Sequence, residues 1–324
     1  MVADFGKAVD QSINCRKTDG LTFSLHPIGA CLSRCLPLVL LGGVLSSTAV
    51  AASLVADHAR LEQLATGFVT VEGPLYDGKG HLYFTDIPNE RIWKLDVATL
   101  QKSLFRQNTG GANGLAFDAK GRLLMCKQRE KTLARLEKDG TESVLLRPSR
   151  QGKGGQRFPV GVNDVVVARN GHIYVTVPGA GSVYAFDPDG GDPRAIITGL
   201  KGPNGLMLSP DETNLYVSEY KEQRLHVFDF DVRSDSATNQ RLFAQVLPKG
   251  DYGCDGMTVD DQGNLYCAGP HAVRVWSPEG RLLETIKVPE SPTNCAFAGS
   301  GATTLYITGR KSVFRIRMKT QGAR

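Results

Sequence analysis

His172-Ile-Tyr-Val-Thr-Val177 is a short run of β-branched and aromatic residues, and the chain contains its shape six times. The other copies are His81-Leu-Tyr-Phe-Thr-Asp86, Arg122-Leu-Leu-Met-Cys-Lys127, Asn214-Leu-Tyr-Val-Ser-Glu219, Asn264-Leu-Tyr-Cys-Ala-Gly269 and Thr304-Leu-Tyr-Ile-Thr-Gly309. Each reads as a strand, and most follow a turn such as Asp77-Gly-Lys-Gly80, Asp118-Ala-Lys-Gly121 or Asp261-Gln-Gly263.

Working outward, every copy is followed by a further strand, as in Arg91-Ile-Trp-Lys-Leu-Asp96 or Ala272-Val-Arg-Val-Trp-Ser277. Every copy is also preceded by one, as in Gly73-Pro-Leu-Tyr76 or Asp164-Val-Val-Val167. The residues that open the six units are Glu72, Asn113, Asn163, Asn204, Asp255 and Asn294, spaced by 41, 50, 41, 51 and 39. A four-stranded antiparallel unit repeating every 40 to 45 residues is a propeller blade. The expectation is an all-β, six-bladed β-propeller. The sixth unit stops after Arg315-Ile-Arg317 without an outer strand, so residues 61–71 are expected to supply it and close the ring.

The rest of the composition agrees. Of 324 residues 36 are glycine, about 11% against a usual 7%, which suits a chain with many tight turns. A net charge of +5 without a long basic run gives no ground for a nucleic-acid partner. Near the start, Arg34 leads into Leu36-Pro-Leu-Val-Leu-Leu-Gly-Gly-Val-Leu45 and the small-residue site Ala49-Val-Ala51. This reads as a secretory signal peptide, too short and glycine-broken for a membrane span. Residues 1–51 are thus expected to be an export segment with an over-long polar start, 52–60 a linker and 61–324 the propeller. That predicts a periplasmic or secreted protein, free of the membrane once cleaved and monomeric or a small homo-oligomer. Four of the seven cysteines fall in the propeller: Cys126, Cys254, Cys267 and Cys295. They lack zinc spacing, and both disulfides and buried thiols are open to them.

The six opening residues enter the innermost strands, so they surround the central axis on one face. Asn tolerates turn geometry on its own account, but two carboxylates at equivalent positions repel unless something positive lies between them. Oxygen-only ligands, two charged and several neutral, suit a hard divalent cation. Ca2+ is the first choice, with Mg2+, Mn2+ or Zn2+ as alternatives.

Val71-Glu-Gly-Pro-Leu-Tyr76, Ala112-Asn-Gly-Leu-Ala-Phe-Asp118, Pro203-Asn-Gly-Leu206, Asp255-Gly-Met-Thr-Val-Asp260 and Pro292-Thr-Asn-Cys-Ala-Phe297 resemble the gluconolactonase/regucalcin (senescence marker protein) family. The resemblance spans about residues 60–318. It implies a divalent ion held by Glu72, Asn163, Asn204 and Asp255, with Asn113 and Asn294 behind them or facing substrate. It also implies hydrolysis of a lactone, a sugar lactone such as an aldonolactone first, with Asp255 as general base or as ligand only. An esterase or organophosphate hydrolase on the same metal site, or a non-catalytic metal-braced binding propeller, are the alternative readings. Loops between the second and third strands return to the site face and place residues 86–90, 127–131, 177–181, 219–222, 269–271 and 310–311 at the mouth. Lys127, Arg129 and His271 are candidates there for recognising a carboxylate or polar oxygen. The long glycine-bearing connection 148–162 enters the same face as a candidate lid. Two positions depart from the family pattern: Gly161 stands where many members carry Arg, and Cys126-Lys-Gln128 replaces Cys-Glu-His. Both bear on substrate choice and leave the metal set intact.

Overall fold

The computed structural model describes residues 53–146, 161–246 and 252–323. The expected export segment and nearly all of the candidate lid lie outside the described residues. Six four-stranded antiparallel sheets follow one another along the chain, and the fold is an all-β, six-bladed propeller. In blade one the strands run Val71–Tyr76, His81–Asp86, Arg91–Asp96 and Lys102–Gln107 from axis to rim. Blade six combines Pro292–Ala298, Thr304–Gly309 and Ser312–Arg317 with the N-terminal strand Glu62–Thr66. The register Glu62↔Arg315 to Thr66↔Ser312 joins the two ends of the ring, as the missing outer strand requires.

The alternation of each second strand explains how the blades stack. Tyr174 packs toward blade four, with Leu206, Leu215 and Phe228, whereas Ile173 and Val175 pack toward blade two, with Leu124 and Leu133. Successive side chains of a strand point to opposite faces, so a strand apolar at every position serves two neighbours at once. The result is six apolar clusters among the described residues, one at each blade–blade contact.

Asp residues at the hairpin turns fix where each second strand begins. Asp77 Oδ1 accepts the amides of Lys79 and His81 at 2.7 and 2.9 Å. Asp118 does the same for Lys120 and Arg122, and Asp260 for Gln262 and Asn264. These Asx turns satisfy backbone donors that would otherwise be orphaned in the bend.

Of the four propeller cysteines, Cys254 and Cys267 form a disulfide, while Cys126 and Cys295 are free and buried.

Candidate active site

The opening residues of the repeats sit where the ladder is irregular. In blades one, two, four and six the pairing of the innermost strand shifts at Glu72, between Ala112 and Leu115, between Pro203 and Leu206, and before Asn294. Such bulges turn a side chain out of the pleat, here toward the axis. In blades three and five the inner strands Val165–Val167 and Met257–Val259 begin only after Asn163 and Asp255. Single backbone bonds to the second strand still hold those residues, Asn163 N to Thr176 O at 3.0 Å and Asp255 N to Ala268 O at 2.7 Å.

Neighbouring inner strands are then stitched around the ring. Gly114 N donates to Asn163 O, Gly205 N to Asp255 O and Gly256 N to Thr293 O, at 3.1, 3.1 and 2.7 Å. Glycine follows the opening residue in four blades because the next blade leaves no room for a side chain. A Cβ on Gly256 would lie 1.9 Å from Asn294 Cγ, and one on Gly114 2.4 Å from Asp164 Oδ1. Blades three and six break that pattern, blade six with Cys295 after Asn294 and blade three with a charged residue, Asp164, after Asn163.

This brings three carboxylates together. Glu72 is 5% exposed; its Oε2 accepts the Gly73 amide at 2.7 Å and Asn294 Nδ2 at 3.0 Å. Asn294 also hydrogen-bonds Asp164, and Asn204 hydrogen-bonds Asp255. Burial, followed by the charges of Asp255 and Asp164, pushes the Glu72 carboxyl well above the usual range. Burial raises Asp164 to about 7, and burial with the Asp164 charge raises Asp255 to about 7. Three like charges facing one volume hold protons or need a cation. None of the three makes an ion pair among the described residues.

The expected site residues separate into two groups. Glu72, Asn204, Asp255 and Asn294 are joined by these contacts, and Asn113 is buried in the same ring, its carbonyl accepting Thr85 Oγ1 at 3.3 Å. Asn163 reaches the ring through its carbonyl to Gly114. Lys127 is instead bound by Glu142 and Glu130 at 2.8 and 2.9 Å, and Arg129 by Glu90 at 2.5 Å. His271 occupies the exposed left-handed turn of blade five, with φ 57°. Asp164 was not among the expected site residues, and the signal for it is the break in the glycine pattern.

A second cluster, His172, Asp187 and Asp235, brings three potential ligand atoms within 4.8 Å of one another. It already holds its cation: Arg194 contacts Asp235 at 2.5 Å and Asp187 at 3.0 Å, while His172 Nδ1 and the Tyr174 hydroxyl complete Asp235 at 2.8 and 2.6 Å. These contacts tie blade three to the strand connection of blade four. On the far side of the ring the channel opens into a cavity of about 820 Å³ among residues such as Tyr76, Phe117, Met207 and Phe297. Asp164 and Asn294 line it, but Glu72 and Asp255 do not.

Residues 70–311 match the family described as the SMP-30/Gluconolactonase/LRE-like region. The chain belongs to that family. It is 28% identical over 301 residues to the gluconolactonase of Zymomonas mobilis, covering 81% of this chain and 82% of that one. It is 26% identical over 245 residues to the pentonolactonase XacC of Haloferax volcanii, covering 73% and 80%. Among solved structures, a gluconolactonase from Xanthomonas campestris superposes with a TM-score of 0.73 at 28% identity, covering 82% of this chain and 91% of that one. SMP-30/gluconolactonase membership places the chain among lactonase-type hydrolases. Its ring geometry is where the reaction of this member is to be sought.

Proposed function

We propose that this family member is a divalent-cation-dependent lactonase acting at the axial ring, with a sugar lactone as substrate. The observation that carries the reading is the convergence of Glu72, Asp164 and Asp255, none of which makes an ion pair among the described residues. A donor set of carboxylates and amides fits a hard divalent ion, Ca2+ first. Glu72, Asn163, Asn204 and Asp255 would hold it, and Asp164 would add a third negative charge beneath them. When bound, the cation supplies Lewis-acid polarisation of the acyl oxygen.

The chain's own residues do the remainder. Asn204 orients the Asp255 carboxylate through its hydrogen bond, and Asn294 orients Glu72. Asp255 takes a proton from water as the water oxygen bonds to the acyl carbon. The ring C–O bond then breaks, its electron pair stays on the ring oxygen, and the proton held by Asp255 passes to that oxygen. One lactone and one water give one hydroxy acid, with no change of oxidation state.

The Cys254–Cys267 disulfide supports the export reading, since disulfides persist in oxidising compartments. The test is proton release from a panel of aldonolactones by chelator-stripped protein, with and without Ca2+, Mg2+, Mn2+ and Zn2+. Phenyl acetate and a phosphotriester serve as competing substrates. Cation-dependent acid release from a lactone is expected. Turnover confined to the ester or phosphotriester, or none with cation bound, would overturn the reading.

A further inference from the structure

The mouth carries side chains for which ring opening alone supplies no task. Tyr220 begins the single 3-10 turn Tyr220–Glu222 between the second and third strands of blade four. Its ring stacks on Tyr252, with centroids 5.7 Å apart and planes 19° from parallel. The Tyr220 carbonyl accepts the Gly253 amide at 3.0 Å, which pins the pair two residues before Asp255. Among the described residues the buried Tyr252 hydroxyl has no hydrogen-bond partner, a costly state that a ligand hydroxyl would relieve.

Arg310 occupies the turn between the last two strands of blade six, and its carbonyl accepts the amide of Val71, the residue before Glu72, at 3.3 Å. Its head is exposed and makes no ion pair among the described residues. Among the other cations near the mouth, Lys127 is neutralised in place by Glu142, Arg129 by Glu90 and Lys201 by Glu222, whereas Lys131, Lys221 and Lys311, like Arg310, make no ion pair among the described residues. The positive charge of Arg310 reaches both the Asp255 carboxyl and the Tyr220 hydroxyl. Burial and then the Asp255 charge push that hydroxyl up to about 12, so Tyr220 stays a neutral phenol.

Charge decides what Arg310 faces. Three axial carboxylates against one divalent cation leave one negative charge. Ring opening adds another at the acyl oxygen and ends with a carboxylate in the same volume. A cation whose charge reaches Asp255 lowers the cost of that charge. The aromatic pair suits the opposite end of a sugar lactone, whose C–H face packs on a ring while its hydroxyls find partners.

We propose that Arg310 and the Tyr220–Tyr252 pair form the substrate wall of this site, Arg310 holding the acyl oxygens and the tyrosines the hydroxylated ring. The proposal rests on the lactonase reading above and selects small polyhydroxylated lactones.

The test uses the full chain loaded with Ca2+ and three variants, Arg310→Ala, Tyr220→Ala and Tyr252→Phe. Turnover is read on D-glucono-δ-lactone. Binding is read by calorimetry with D-gluconate, which carries the carboxylate, and with D-sorbitol, which lacks it. Arg310→Ala is expected to weaken D-gluconate binding and kcat/KM about tenfold, less than for a fully desolvated oxyanion donor because the head is exposed. D-Sorbitol binding and Ca2+ affinity should not change in that variant. Tyr220→Ala should weaken both polyols, and Tyr252→Phe should weaken both by a smaller factor. Unchanged D-gluconate binding in Arg310→Ala, or equal losses for both polyols, would overturn the assignment. If the wild type opened no lactone, the lactonase reading would fall, and the calorimetric arm alone would decide whether Arg310 and the tyrosines bind these ligands.

Discussion

Asn294 Nδ2 lies 3.0 Å from Glu72 Oε2, a contact between residues 222 positions apart that closes the axial ring from blade six to blade one. Asn294 Oδ1 accepts the Cys295 amide at 2.8 Å, which fixes the amide so that its NH2 faces Glu72 and Asp164. One neutral side chain thus orients two of the three axial carboxylates.

Asn294→Ala should therefore cost about 2 kcal/mol of stability, the range for leaving a buried hydrogen-bonding group without its partner. Urea unfolding of the chelator-stripped protein measures it. The same variant should bind Ca2+ more weakly, because Glu72 loses the partner that aims it.

Asp164→Asn should act with opposite signs on the two forms of the protein. Without cation it removes one of three repelling charges, so the stripped protein should gain about 1 to 3 kcal/mol at pH 8. With cation it removes attraction, so Ca2+ affinity should fall. Thermal melts with and without Ca2+ read both signs, and a stripped variant less stable than wild type would contradict the placement of Asp164.

Asp235 gives a pH signature away from the axis. Burial raises its carboxyl, but hydrogen bonds from Tyr174, His172 and Arg194 outweigh it and leave the pKa below the usual value. A depressed carboxyl contributes stability that is present above its unfolded pKa of about 3.9 and is lost as pH falls through the lower folded value. Asp235→Asn should destabilise by about 2 kcal/mol at pH 7, discounted because Arg194 is half exposed. The gap from wild type should close below about pH 4. Its Ca2+ titration should match wild type, since Arg194 supplies the charge there.

Much of this was legible in the sequence because it is periodic. The strand Asn264-Leu-Tyr-Cys-Ala-Gly269 and its Asp260 turn announce themselves locally, and counting the repeats sets the register of the axial residues. Ring closure by Glu62–Thr66 followed from a strand count alone. Asp164 escaped because it reads as the first residue of the strand Asp164-Val-Val-Val167, and its role depends on standing where four other blades have glycine. Cys254 and Cys267 could not be paired before the register placed one beside the other. Lys127 and Arg129 are held by Glu142, on another strand, and by Glu90, in a turn of another blade, partners that no local pattern reveals.

Cation binding by the axial carboxylates, coupled to lactone opening, is tested most directly by calorimetric titration of Ca2+ into stripped wild type, Glu72→Gln and Asp255→Asn, with aldonolactone hydrolysis followed on the same samples. One cation per chain is expected in wild type, with binding lost or greatly weakened in both variants and turnover falling with occupancy. Wild-type hydrolysis that persists in the stripped protein, or Ca2+ binding undiminished in both variants, would contradict it.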